Sequence, residues 1–168
     1  MEDPFGYFYL LYKIHKTPSK TRHVVSDCTS VTHSLGKWVD VMLQPFAQHL
    51  PSFFKDSFEL KKTLNTIIVP PGARLFSCDA ESMYTNIDTE AALTVISAFL
   101  LDPETIKEYT HYHAATLIAA LEIVMRNNIL RFSDKYAKQL SGTAMGKPCA
   151  PCWAILFQGL DKNKLIPT

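Results

Sequence analysis

A short apolar run, Leu75-Phe76, leads through Ser77-Cys78 to Asp79 and lies between segments of helical periodicity. That arrangement most constrains the fold. The break Val69-Pro70-Pro71-Gly72 precedes it, and proline and glycine together end a helix. The run Arg74 to Cys78 is therefore expected to be a strand, with Asp79 at its tip. A strand set among helices excludes a pure helical bundle. Other segments fill in the pattern. Phe5 to Ile14 is aromatic-rich and reads as a strand, Thr17-Pro18-Ser19-Lys20 as a turn, and His23 to Ser26 as a second strand. The two strands can pair as a basic hairpin. Strand hairpin, helices, strand, helices, hairpin, loop and helix follow in order, and this predicts an α+β fold.

The helices are read from periodicity and caps. Ser34 to Leu50 places Trp38, Val39, Met42, Leu43 and Phe46 on one side, with a kink or boundary expected at Pro45. Ser52 to Leu64 is a second helix, with Phe54, Phe58, Leu60 and Leu64 as its apolar side. Asp88 or Thr89 caps a helix from Glu90 to Leu101, and Asp102-Pro103 restarts one that runs to Arg126 with a break near His111-Tyr112-His113. Ile129 to Phe132 and Tyr136 to Gln139 flank a three-residue turn, Ser133-Asp134-Lys135. A glycine-containing loop, Ser141 to Gly146, then leads into a helix from about Ala150 to Leu160.

The 168 residues suffice for one ordinary core, and the formal net charge of +1 gives no global pull toward nucleic acid. Cation placement is uneven, however. Lys13, Lys16, Lys20 and Arg22 cluster near the start, either as a solvated face or as a phosphate-contacting surface. The start of the chain lacks a basic leader, and no apolar run is long enough to span a bilayer. A soluble intracellular protein with reduced thiols and no membrane partner is expected.

Asp79 is a candidate metal ligand, because a carboxylate at a strand tip can hold a divalent cation against phosphate oxygens. The bland alternative is a turn aspartate. Tyr84, five residues on, is either a core aromatic or a rigid ring facing a ligand. Gly142 and Gly146 permit close backbone approach, or simply join a hairpin to a helix. Cys149-Ala150-Pro151-Cys152 has the spacing of a redox dithiol or half a zinc site. It lacks the strand context of the former and a second close pair for the latter, so buried thiols at a helix start are expected.

Three groups of residues, taken in order, carry a family resemblance. They are Tyr12-Lys13-Ile14-His15-Lys16 with Arg22-His23-Val24-Val25-Ser26, then Asp79 to Ile87, then Gly142-Thr143-Ala144-Met145-Gly146. The chain resembles the reverse transcriptase domain of Penelope-like retroelements over about Tyr9 to Leu160. The resemblance implies a right-hand polymerase, with a fingers-like region at 1–70 and a partial palm at 71–168. It implies an RNA-directed DNA polymerase using Mg²⁺, deoxynucleotide triphosphates, an RNA template and a DNA primer. Asp79 would be the catalytic metal ligand and Tyr84 the gate against a 2′-hydroxyl. Arg22, Lys13 and Lys16 would meet phosphate, and Met145 and Gly146 would lie near the template base pair. Two departures stand out. No two aspartates are adjacent anywhere, and Lys147 stands where the family has serine. An incomplete domain without a thumb is the resulting expectation. A non-catalytic nucleic-acid-binding remnant and a thiol oxidoreductase are the alternatives.

Overall fold

The computed structural model describes residues 4–15, 17–74, 77, 79–110 and 112–161. Aromatic and β-branched residues at the start pair as expected. Strand β1 (Gly6–Lys13) runs antiparallel to β2 (Lys20–Ser26), with Leu11 opposite Arg22 and Lys13 opposite Lys20. The second hairpin joins β3 (Ile129–Phe132) to β4 (Lys135–Lys138). Its turn is two residues long, not three, because Lys135 pairs with Phe132. Ser133 takes a positive φ of 56° there, as tight hairpin turns require. Asn128 and Gln139 close the hairpin base by a side-chain hydrogen bond and by Gln139 N–H to the Asn128 carbonyl at 2.9 Å. The hairpins join through a parallel pairing of β1 with β3, Gly6 opposite Leu130, giving one mixed sheet in the order β2-β1-β3-β4.

Helix α1 (His33–Gln48) buries Val39, Leu43 and Phe46, while Trp38 stays partly exposed. It passes through Pro45 without ending there. Proline removes one N–H donor from the helix, but the Pro45 carbonyl still accepts the His49 N–H at 3.2 Å, so the last turn closes beyond it. Helix α2 (Ser57–Leu64) is shorter than expected. Asp56 starts it by accepting the N–H groups of Phe58 and Glu59, both at 2.9 Å. Its expected apolar side finds no cover. Phe54, Phe58, Leu60 and Leu64 are all exposed, and α2 buries no residue.

A one-turn helix α3 (Met83–Asn86) leads to α4 (Thr89–Leu101), α5 (Pro103–Glu108) and α6 (Ala114–Arg126). Asp88 caps α4 through the Ala91 N–H at 2.7 Å, and Asp102 caps α5 through that of Thr105 at 3.1 Å. Both caps are where the sequence puts them. The expected break between α5 and α6 is present, with His111 outside the described residues. The last described helix is α7 (Ala150–Asp161). Helices α1, α4, α6 and α7 share the core, in which Ile96, Leu100, Leu117, Leu121, Trp153 and Leu156 are fully buried. Phe46 sits at its end among Phe99, Tyr109 and Tyr112. The chain is thus α+β. No described helix is long and apolar enough to cross a membrane.

The expected strand at Arg74 to Cys78 falls partly on Leu75, Phe76 and Cys78, which lie outside the described residues. Arg74, Ser77 and Asp79 are exposed and belong to no described strand.

Cys149 and Cys152 are buried at the start of α7, and burial pushes both thiols up to about 12. At neutral pH they stay protonated, without the thiolate that dithiol exchange needs. Iodoacetamide at mildly alkaline pH is therefore expected to modify exposed Cys28 in the native protein and to reach Cys149 and Cys152 only after denaturation. Mass spectrometry of the labelled peptides checks this. Native-state labelling of either buried thiol would contradict it.

Candidate functional site

The face of the hairpin is set by strand geometry. Alternate residues share a face, so Leu11 and Lys13 of β1 stand beside Lys20, Arg22 and Val24 of β2. This face forms one wall of a cleft of about 930 Å³. The segment from Asp79 to Tyr84 forms the opposite wall, and Met145, Gly146 and the first residues of α7 form the floor. Six of the seven site residues expected from the sequence meet here: Lys13, Arg22, Asp79, Tyr84, Met145 and Gly146. The seventh, Lys16, lies outside the described residues.

The walls differ in charge. Lys13, Lys20 and Arg22 face Asp79 and Glu81. One ion pair crosses between them, Lys20 Nζ to Glu81 Oε1 at 3.4 Å, between two exposed side chains. Such pairs contribute about 0–1 kcal/mol, so this contact yields readily to a competing anion. Lys13, Arg22 and Asp79 make no ion pair with any described residue.

Tyr84 has two roles in the packing. Its ring lines the cleft, and it also packs against the core beneath. Burial first, then the nearby Cys152, raises its phenol above the ordinary value of 10.0. It therefore remains a neutral hydrogen-bond donor at physiological pH. The turn that presents it starts at Ser82, in a left-handed conformation with φ 52°. Asn86 Nδ2 reaches back to the Glu81 carbonyl at 3.1 Å and steadies the same turn.

The floor is pinned on both sides. Toward α3, Thr143 N–H donates to the Tyr84 carbonyl at 2.6 Å. Gly142, at φ +79°, lies so near that a Cβ would stand 2.9 Å from the Thr85 backbone. Toward β2, Val25 N–H donates to the Met145 carbonyl at 2.8 Å. Gly146, at φ +130°, lies against the Val25 carbonyl, where a Cβ would overlap the oxygen. The next residue carries a buried charge. Lys147 Nζ sits 3.1 Å from Asp27 Oδ1 and 3.0 Å from Thr32 Oγ1, with both charged side chains only 2% exposed. His33 Nδ1 flanks the same carboxylate at 3.5 Å.

Asp27, Thr32 and Glu81 escape a reading of the sequence, and Lys20 shows there only as part of the basic cluster near the start. Lys147 shows there only as a departure from the family pattern. Its position between Gly146 and Pro148, in a stretch otherwise small and apolar, is the one signal that it is buried.

Among the described residues, no group of three or more His, Cys, Asp or Glu could hold a metal ion. Asp79 is accessible on the cleft wall, with Glu81 two residues on. That suits a Mg²⁺ ion held by one or two carboxylates together with a ligand's own phosphate oxygens. It does not make a cage for two metals.

The loop geometry sets an expectation for Gly146→Ala. Positive φ and the overlap with Val25 together are expected to cost at least about 2 kcal/mol, read as a lower urea midpoint. Gly72→Ala, at φ +82° but with open space around it, isolates the conformational part and is expected to cost less. Equal losses would show that the close approach to β2 does not matter.

No family model matches this chain, and no curated protein matches it.

Proposed function

We propose that the cleft binds the triphosphate of a deoxynucleotide, and that the chain is part of an RNA-directed DNA polymerase domain of the right-hand type. One observation carries this reading. Three cations on one wall face a carboxylate and an aromatic ring on the other, across a cleft of about 930 Å³.

The chemistry follows from the side chains. A triphosphate needs several positive charges within reach. Arg22 offers a planar fork that grips two phosphate oxygens, and Lys13 and Lys20 add mobile point charges. Asp79 would hold a Mg²⁺ ion shared with the phosphates, and that ion would neutralise their charge. The Tyr84 ring, stiffened by its packing on the core, offers a flat surface to a sugar and leaves little room for a 2′-hydroxyl. Met145 and Gly146 provide a floor of backbone and thioether, suited to the flat edge of a base pair.

The facing carboxylates separate this reading from simple binding of a nucleic-acid backbone. A groove for bare phosphates gains nothing from Asp79 and Glu81 on its wall. A groove for a metal-bound triphosphate does. Nucleotidyl transfer by two metals needs further carboxylates, and the 168 residues contain no adjacent aspartates. The proposal for this chain therefore concerns nucleotide binding and selection.

Calorimetric titration of a deoxynucleoside triphosphate, with and without Mg²⁺, tests the reading. Arg22→Ala is expected to weaken binding roughly tenfold or more, equivalent to about 1.4 kcal/mol. Asp79→Ala is expected to remove the gain from Mg²⁺, and Tyr84→Val to narrow the preference for deoxyribose over ribose. Mg²⁺-dependent binding unchanged by Asp79→Ala would overturn the assignment. Salt-sensitive binding of an RNA–DNA hybrid with no affinity for triphosphate would favour the nucleic-acid-binding alternative.

A further inference from the structure

We infer that Asp27 and Lys147 are positioning residues, which hold the cleft floor against the strand that carries Arg22. Both side chains are 2% exposed, and their charged ends pair with each other below the surface; Asp27 is absent from the cleft lining, and Lys147 borders the floor. Their backbones flank the cleft. Lys147 directly follows Met145 and Gly146 on the floor, and Asp27 directly follows the end of β2.

Three links join the two segments. Val25 N–H bonds the Met145 carbonyl at 2.8 Å, Gly146 packs on the Val25 carbonyl, and Lys147 Nζ bonds both Asp27 Oδ1 and Thr32 Oγ1. The first two are close-range contacts with no side chain to direct them. Only the third is made by charged side chains, and it also reaches the residue just before α1. It therefore fixes the loop relative to β2 and α1 together. A buried ion pair adds little stability over a well-packed apolar pair of like size. What it supplies here is a defined separation between floor and wall, and hence between Met145 and Arg22.

This assignment can be separated from a merely structural role. The double variant Asp27→Asn/Lys147→Met removes both charges and nearly keeps the volume. Its melting temperature is expected to stay close to that of the parent. Amide hydrogen exchange at Val25, which reports the bond to Met145, is expected to accelerate roughly tenfold relative to core amides. Thr32→Val, which keeps the ion pair and removes the hydroxyl shared by Lys147 and Ser30, is expected to give a smaller acceleration. This variant also serves if the double variant fails to fold. If exchange at Val25 is unchanged in the variants that fold, the inference is overturned.

The consequence for ligand rests on the nucleotide reading and is measured separately. Affinity for Mg²⁺-bound deoxynucleoside triphosphate is expected to fall about fivefold in the double variant even though stability is retained. Recovery of full affinity along with stability would reduce the pair to a structural role and overturn the inference. Should the parent protein bind no triphosphate, the nucleotide reading fails, and exchange at Val25 alone decides whether the pair holds the loop.

Discussion

A lysine ammonium enclosed by one carboxylate and one hydroxyl governs the geometry of this molecule. Lys147 and Asp27 come from opposite ends of the chain, and their contact brings the loop after the second hairpin onto the end of the first. An enclosed charge cannot drift, since leaving its partner means burial without compensation. The neighbouring contacts depend on that fixed point. With Lys147 held, Gly146 can lie on the Val25 carbonyl and Met145 can accept from the Val25 N–H. Thr143 can then reach the Tyr84 carbonyl on the far side. The loop thus ties a basic strand to a tyrosine-bearing turn. Neither wall has another described tie of comparable burial to the other.

Much of this fold is legible in the residues. The caps at Asp88 and Asp102 are visible because a short polar side chain followed by helix formers has few other uses. The β1–β2 and β3–β4 hairpins are visible because their turns interrupt aromatic and β-branched runs. Other features are not local and cannot be read locally. The parallel pairing of β1 with β3 joins residues more than a hundred positions apart, and no short window carries that information. Helix α2 fails in the opposite sense. Phe54, Phe58, Leu60 and Leu64 suggest a buried stripe, but periodicity describes only what a helix offers, not what covers it. Pro45 marks a break in the pattern without ending the helix, since its own carbonyl still serves the turn that follows.

The candidate site was legible to a similar degree. Six residues named from motif order converge on one cleft, although they are scattered from Lys13 to Gly146. The family resemblance nominates them, Met145 through it alone, and charge type and glycine placement add support for the rest. The residues that hold them in place were harder to see. Asp27 resembles any strand-end aspartate, and Thr32 any polar residue before a helix. Their significance arises only once Lys147 arrives between them. Lys20 and Glu81 pair only because folding sets two walls opposite each other.

The distance along the chain between the two ends of the buried pair has a consequence for biosynthesis. Asp27 and Lys147 are separated by 120 positions, so at ribosomal speeds the first hairpin waits roughly ten seconds for its partner. A lone two-stranded hairpin is marginal in water. During that interval β1 has neither β3 beside it nor the loop beneath it. Phe8, which meets Phe132 of β3 in the finished fold, and Val25, buried there beside the loop, are then uncovered. The nascent chain thus passes through a stage at which its aromatic start is complete and its clasp is still untranslated, a stage suited to chaperone capture.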